Sequence, residues 1–280
     1  MKLSIVIITC NTINFLHSCL TSLQNTLAGS DTELILVDNG STDETISFIE
    51  SHYPKTKLIK LAENKGVAYA RNRGIEQAKG NYILLLDSDT ISNHEAIIGM
   101  VRYMNENSEV GVCGCRLVSP KGAVQDSFKK YPAIGYKLNN LLIALSGRWG
   151  MKRWEKRLLK QNEQHTYGNP ALICAPFSPD YLIGACQMIR KEVFEEIGLL
   201  DEKIFFGPED ADFCIRAARR GWKIVYLPTS QIVHHWQRST SKKLFSALTF
   251  KHIQALFYFY RKNRCELLAF ALTFDFFFVI

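Results

Sequence analysis

Tyr82-Ile-Leu-Leu-Leu-Asp87-Ser-Asp89 decides the fold. An unbroken apolar run of this length, closed by carboxylates, reads as a parallel strand buried on both faces. Such strands carry ligands at their carboxyl ends, in the crevice of an open α/β sheet. Two acids one residue apart at that edge can hold a divalent ion against a diphosphate. They equally suit a plain strand-to-helix turn in which Asp89 or Thr90 caps the next helix. The run alone does not choose between these readings.

Strand and helix signals alternate on both sides of it. Lys2–Thr9, Glu33–Asp38, Thr56–Leu61, Asn81–Asp87 and Val110–Cys115 read as strands. Asn14–Leu27, Thr42–Ser51, Val67–Ala78 and His94–Glu106 read as helices, the third ended by Gly80. This spacing implies βαβ units and a mostly parallel sheet. Right-handed crossovers then bring Thr9, Asp38, Glu63-Asn64 and Asp87/Asp89 to one crevice. Ser119–Pro179 is irregular, with scattered Pro and Gly and a basic amphipathic piece, Leu141–Leu159. Order returns at Tyr181–Arg190, followed by a helix over Lys191–Ile197 stopped by Gly198. A second helix is expected from Pro208, which suits a first turn, to Arg220. The strand Lys223–Leu227 then leads to His234-His235.

At 280 residues with 47% hydrophobic content, the chain is one large domain or two small ones with a sizeable core, and it is not disordered. Its net charge of +7 is unevenly placed. Gln237–Arg264 holds seven Lys or Arg and no acid, and Arg148–Lys160 holds six against one Glu. Basic stretches interleaved with Leu, Phe, Tyr and Trp suit an anionic membrane surface or a phosphate-bearing acceptor. No nucleic-acid fold signature accompanies them, so nucleic acid is not an expected partner. The eight Cys lack zinc-site spacing and mostly sit in apolar runs, as buried free thiols do in a reducing compartment. The amino-terminal apolar stretch is short, β-branched and without a small-residue cleavage site, which reads as a core strand of a cytosolic protein.

Asp38-Asn-Gly-Ser-Thr-Asp43 combines a tight turn at Gly40 with helix-capping residues. The turn does not require Asp38, which is free to accept from a base imide or a ribose hydroxyl. Asn64-Lys-Gly66 resembles the same device, with backbone N–H groups at the next helix start that would favour a phosphate. GxGxxG is absent, against a dinucleotide-binding dehydrogenase. In Pro208-Glu-Asp-Ala-Asp212-Phe-Cys-Ile-Arg216, Asp212 is explained by an ion pair with Arg216 four residues on. Glu209 and Asp210 remain, and paired acids in a cleft raise each other's pKa toward that of a general base. His234 is either structural or the ligand that completes a metal site begun by Asp87 and Asp89.

Thr9-Cys-Asn11, Val-Asp38-Asn-Gly-Ser-Thr-Asp, Glu63-Asn-x-Gly, Arg71-Asn-Arg-Gly74, Leu-Asp87-Ser-Asp89, Ile183-Gly-Ala-Cys186, Glu209-Asp-x-Asp212 and His234 together resemble family 2 glycosyltransferases, most closely the bacterial rhamnosyltransferase-like branch. The resemblance implies a GT-A α/β fold over residues 1–240, with a nucleotide-sugar-binding half (1–118) and an acceptor and catalytic half (119–240). It implies inverting transfer from a nucleoside-diphosphate sugar (UDP- or dTDP-linked, rhamnose among the sugars) to a glycan or lipid-linked acceptor in cell-surface polysaccharide synthesis. Thr9, Asn11, Asp38, Asn64, Gly66 and Arg71 would line the nucleotide pocket, with Asp87 and Ser88 beside it. Asp87, Asp89 and His234 would hold Mg²⁺ or Mn²⁺. Asp210 would be the general base, with Glu209 its partner.

The chain departs from the family's glycine-rich run after the His: it has His235-Trp-Gln-Arg-Ser239, where Arg238 could bind phosphate. Residues 241–280 form a basic, aromatic and then apolar tail. Its last fourteen residues would reach about 21 Å as a helix, short of the roughly 30 Å hydrocarbon core. The tail should therefore lie in the membrane interface or pack on the catalytic domain. The resemblance implies lipid-linked acceptors at the cytoplasmic leaflet, so the expected location is the cytoplasm, peripheral on the inner face of the membrane. Two alternatives are weaker. A nucleotidyltransferase needs a basic Gly-rich loop where this chain has Cys10-Asn-Thr-Ile-Asn14. A non-catalytic module that binds sugar nucleotides or glycans would not need the full set of acids.

Overall fold

The computed structural model describes residues 3–28, 31–131, 167–236 and 247–263. In chain order the elements are β1 (Leu3–Thr9), α1 (Ile13–Ser22), α2 (Gln24–Leu27), β2 (Thr32–Asn39), α3 (Thr45–His52), β3 (Lys57–Leu61), α4 (Val67–Ile75), β4 (Tyr82–Asp87), β5 (Thr90–Ile91), α5 (His94–Glu106) and β6 (Val110–Val118). Then come β7 (Phe128–Lys129), β8 (Tyr181–Leu182), β9 (Cys186–Arg190), α6 (Lys191–Ile197), α7 (Glu209–Arg219), β10 (Lys223–His234) and α8 (Ala247–Lys262). The amphipathic piece Leu141–Leu159, Arg238 and the apolar end Leu267–Ile280 lie outside the described residues.

The decisive run is a central strand. β4 sits in an eight-stranded sheet of order β3-β2-β1-β4-β9-β6-β10-β5. Pairings β3-β2, β2-β1, β1-β4 and β6-β10 are parallel. β9 runs antiparallel between β4 and β6, and β5 antiparallel to β10. Alternate residues feed opposite layers, as a pleat demands. Ile5, Ile7, Leu84 and Leu86 pack with Leu16 and Leu20 of α1 and with Ile97, Met100 and Met104 of α5. Val6, Ile83 and Leu85 pack with Ala68 and Ala70 of α4, Phe213 of α7 and Phe259 of α8. Helices on both faces explain why these strands read as continuous apolar runs. At Gly74 a Cβ would sit 2.3 Å from Val6 Cγ1, so α4 approaches the sheet more closely than any side chain permits.

Three sequence expectations change. The helix expected over Asn14–Leu27 breaks at Leu23 into α1 and α2. Tyr181–Arg190 is two strands: β8 joins β7 in a small separate sheet, and β9 enters the main sheet. β10 runs on past Leu227 to His234, with a register shift between Leu227 and Gln231 around Pro228, which has no N–H to give to a ladder. That extension pairs His234 with Thr90. The sheet thereby curls, and its far edge meets the residues that follow β4. Of the seven described cysteines, all are free, and only Cys10 and Cys174 are not buried.

α8 docks on the sheet's helical layer. Phe259 and Asn263 are fully buried. Lys262 Nζ donates to Asp201 (2.6 Å) and to Asp212 (2.9 Å), and Tyr258 OH donates to Asp201 (2.9 Å). Phe250, Ile253 and Phe257 face outward and are exposed. Phe259→Ala should therefore cost about 3–5 kcal/mol in urea unfolding. Phe257→Ala should change stability by less than about 0.5 kcal/mol. Equal effects would mean that α8 does not dock as described.

Candidate active site

Asp38 is the last-but-one residue of β2, level with Thr9 on β1, while Asp87 is level with Ile8. The crevice at these strand ends lies where the chain order reverses between β1 and β4, the usual ligand position in open α/β sheets.

Asp38 is fully buried. Its Oδ2 accepts from Ser41 N (3.0 Å), so the turn does use Asp38, contrary to the reading from sequence. Its Oδ1 is buried with no partner. Asn11, at φ +54°, spends its side-chain oxygen on Thr42 N (2.8 Å) and Asp43 N (3.2 Å), tying the β1–α1 turn to the Asp38 loop. Thr9 Oγ1 shares a hydrogen with Thr12 Oγ1 (2.6 Å), and Thr12 Oγ1 with Ser88 Oγ (3.0 Å). This hydroxyl chain links β1 to the acidic turn.

The expected phosphate cradle after Asn64 is not free. Lys65 N donates to Asn39 Oδ1 (2.9 Å), Gly66 N to Asn64 Oδ1 (3.0 Å) and Val67 N to Phe205 O (2.8 Å). Gly66 has φ +95°, and a Cβ there would lie 2.5 Å from Phe205 O. The turn shapes the wall and seats the loop that leads to α7.

Arg71, expected to line the nucleotide pocket, is buried among the acids. Its Nη2 donates to Asp87 Oδ1 (2.7 Å) and Gly184 O (2.6 Å), and its Nη1 lies 3.7 Å from Glu209 Oε1. One guanidinium thus joins the end of β4 to the start of α7. Burial pushes the Asp87 carboxyl up, and Arg71 partly offsets it.

Ligand atoms of Asp87, Asp89 and His234 all lie within 4.8 Å of one another. His234 Nε2 is 3.5 Å from Asp89 Oδ1, and His235 N donates to Asp89 O (3.0 Å). Two hard carboxylate oxygens and one imidazole suit a hard or borderline divalent ion. The side chain on the other face of the ring, Gln125, was not foreseen; it is 109 positions away in sequence, and no local pattern marks it.

Glu209 and Asp210 open α7, directly after Pro208, which caps the helix rather than entering it. Asp210 Oδ2 accepts from Gly184 N (3.1 Å) and Oδ1 from Ala211 N (2.7 Å). Burial raises the Asp210 carboxyl, with those N–H groups, Lys129 and Arg71 pulling it back. Glu209 Oε2 is buried with no partner. Burial first, then the neighbouring Asp210 charge, pushes Glu209 up to about 7, against the pull of Arg71. Asp212 is buried on Arg216 Nε (2.9 Å), the expected intrahelical pair, and also on Lys262 and Asn263 of α8.

A carboxyl whose folded pKa exceeds its unfolded one holds its proton better in the folded state. Its stabilising effect is present below the unfolded value of 4.5 and is lost as pH rises through about 7. Glu209→Gln removes this term. The melting temperature of Glu209→Gln relative to wild type should therefore climb across that interval, and a flat difference would show Glu209 ionised throughout.

The family model described as glycosyl transferase family 2 matches residues 4–198. The N-acetylglucosaminyl-diphospho-decaprenol L-rhamnosyltransferase of Mycobacterium tuberculosis is 25% identical over 230 residues, 78% of this chain and 71% of that protein. The dTDP-rhamnosyl transferase RfbF of Shigella flexneri is 28% identical over 205 residues, 72% of this chain and 59% of that protein. Among solved structures, the mannosyltransferase PcManGT of Pyrobaculum calidifontis, in complex with GDP-Man and Mn²⁺, superposes with a TM-score of 0.55 at 16% identity. This chain spans 56% of that longer one and is itself covered over 84%. The likeness confirms a GT-A-like α/β fold. The chain belongs to glycosyl transferase family 2, and it is a glycosyltransferase resembling the rhamnosyltransferases of that family.

Proposed function

We propose that the protein is an inverting, metal-assisted transferase that moves a sugar from a nucleoside diphosphate to a glycan or lipid-linked acceptor in cell-surface polysaccharide synthesis. The observation that carries this reading is Arg71, which brings Asp87 and Glu209 onto one guanidinium. The leaving-group end and the base end of a displacement are thus a side chain's width apart.

On this reading the buried, unpartnered Asp38 Oδ1 accepts from the base or ribose of the donor. Thr9, Asn11, Asn64, Gly66 and Ser88 shape that pocket through the turns they hold. Asp87, Asp89 and His234 would hold Mg²⁺ or Mn²⁺, in keeping with the Mn²⁺ named for the Pyrobaculum structure, and such an ion would supply positive charge for the departing diphosphate. Asp210 takes the proton of the acceptor hydroxyl. That oxygen bonds to the anomeric carbon from the face opposite the diphosphate, and the bond from carbon to the diphosphate oxygen breaks, releasing the nucleoside diphosphate. The raised proton affinity of Asp210 suits it to that role, and Gly184 N holds its Oδ2 in place. The two rhamnosyltransferase relatives support a deoxyhexose donor. The poly(ribitol-phosphate) β-glucosyltransferase of Bacillus spizizenii, 31% identical over 170 residues, supports a cell-wall polymer as the acceptor class.

Asp210→Asn should bind donor as wild type does and lose turnover by about 10²–10⁴. Wild-type transfer by this variant would displace Asp210 as the base. Donor class is read from thermal shifts with UDP, dTDP, GDP and CDP, each with and without Mn²⁺. A ligand at about 100 times its Kd adds roughly 2.7 kcal/mol. No shift with any nucleotide would remove the transferase mechanism proposed here.

We further propose attachment to the inner membrane surface. Phe250, Ile253 and Phe257 recur at three- and four-residue spacing on the outward side of α8, within the stretch that carries seven Lys or Arg and no acid. Among the described residues no helix is long and apolar enough to cross a membrane. Phe250→Ser with Phe257→Ser should abolish co-sedimentation with phosphatidylglycerol vesicles while leaving stability unchanged. Undiminished vesicle binding by that double variant would exclude this face.

A further inference from the structure

Gln125 stands on the segment that returns from the Ser119–Ala123 turn along β6. Its backbone N–H donates to Leu117 O (2.8 Å), and Leu117 is registered with Ile232, two residues before His234 on β10. Both residues are therefore carried by the same piece of sheet.

The Gln125 side chain makes two hydrogen bonds to one residue. Its Nε2 donates to the His234 carbonyl oxygen (2.9 Å), and its Oε1 lies 2.9 Å from His234 Nδ1. A carbonyl oxygen only accepts, so the amide NH₂ must be the group facing it. Oε1 then faces the ring, and only a ring nitrogen that carries hydrogen can meet it. The hydrogen is on Nδ1, and in the neutral ring the lone pair is on Nε2. Nε2 is the atom that faces Asp89 Oδ1 at 3.5 Å, within the cluster that includes Asp87. Two acceptors facing each other across a partly dry gap repel, unless a cation stands between them.

We infer that Gln125 is a positioning residue. It locks His234 as the Nδ1–H tautomer and aims the Nε2 lone pair at a divalent ion shared with Asp87 and Asp89. The inference rests on the metal reading above and deepens it. Imidazole ligands of metals generally have their second ring N–H held in this way, and loss of the holding group typically weakens metal binding about 10–100-fold. The pairing also explains why His234 can sit at the end of a strand and still present a fixed ring, since the same amide grips its backbone and its side chain.

The test needs no sugar donor. Long-range ¹H–¹⁵N spectra of the metal-free protein, with His234 assigned by comparison with His234→Gln, should show the Nδ1–H form. Gln125→Leu keeps the bulk and removes both bonds, and it should lose that tautomer. Mn²⁺ alone, titrated and followed by electron paramagnetic resonance, should bind Gln125→Leu about 10–100-fold more weakly. Gln125→Glu restores an acceptor on Nδ1 and should recover most of that loss, which a merely structural role would not produce. A wild-type protein that binds Mn²⁺ with His234 in the Nε2–H form overturns the role of Gln125 and leaves the metal site standing. So does Gln125→Leu with wild-type Mn²⁺ affinity. A wild-type protein that binds no Mn²⁺ overturns both readings. If Gln125→Leu does not fold, the wild-type spectrum and Gln125→Glu still decide.

Discussion

The Arg71 guanidinium is buried, and the acids at both ends of the crevice depend on it. It donates to Asp87 and to Gly184 O and lies within ion-pair reach of Glu209. Asp89 and Asp210 flank these carboxylates in sequence. Gathering that much negative charge in a half-dry cleft is costly, and the group that balances it cannot be removed cheaply: stripping one partner from a buried pair costs about 3–5 kcal/mol. Arg71 reaches the cluster because α4 lies tight on the sheet, an approach that the missing side chain at Gly74 permits. The Gly66 turn starts α4 at the right height and takes Phe205 as its lid. Close backbone packing at two glycines therefore ends in an electrostatic arrangement about one turn away.

The other side of the crevice is held from further along the chain. His252 of α8 lies 2.9 Å from Phe206 O and 3.1 Å from Gly207 O. Carbonyls only accept, so its Nδ1 must donate to them. Tyr258 and Lys262 fix Asp201, and Lys262 and Asn263 fix Asp212. These contacts bracket residues 201–212, the segment that contains Glu209 and Asp210. α8 thus has one face that steadies the acids and another that is apolar and exposed. If that outer face meets a bilayer as proposed, one helix, α8, carries the membrane contact and also braces the segment that bears the acids of α7.

Much of this was legible in the residues. The run Tyr82–Asp87 announced a buried parallel strand because its burial on both faces leaves no polar alternation, and His94–Glu106 and Lys191–Ile197 form helices with the expected bounds. Asp212 and Arg216 pair as their spacing demands. What was not legible is tertiary. Nothing local says that Arg71 turns onto Asp87 and Gly184 O; that follows from which side of α4 meets β4 and the Gly184 loop. Nothing local says that β9 runs antiparallel, since burial on both faces erases strand direction from the pattern. The Asn64 turn looked like an anion site because its glycine and its helix start are real. The groups that occupy its N–H donors, Asn39 and Phe205, come from distant segments.

Buried polar atoms in folded proteins are almost always paired, so those left over are informative. Around this crevice the turns consume most of their own donors and acceptors. Asn11 Oδ1, Asn64 Oδ1, Asp38 Oδ2 and both oxygens of Asp210 are spent on backbone N–H groups. Two buried oxygens are not: Asp38 Oδ1 beyond β2 and Glu209 Oε2 at α7. Asp38 stands near the end of β2, two strands from Asp87 on β4, and Glu209 shares the Arg71 guanidinium with Asp87. Thr26, Thr45, Arg73, His94, Gln187 and Tyr260 also leave a buried polar atom unpartnered, so what marks Asp38 Oδ1 and Glu209 Oε2 is their position on carboxylates beside the crevice. On the proposed reading one would meet the nucleoside and the other would stand beside the acceptor hydroxyl, while Asp87, Asp89 and His234 would hold the divalent ion. The constraint runs from packing to chemistry: the close helix–sheet contacts decide which polar atoms of the crevice the protein can satisfy alone, and on the proposed reading the donor and acceptor would complete the two left over.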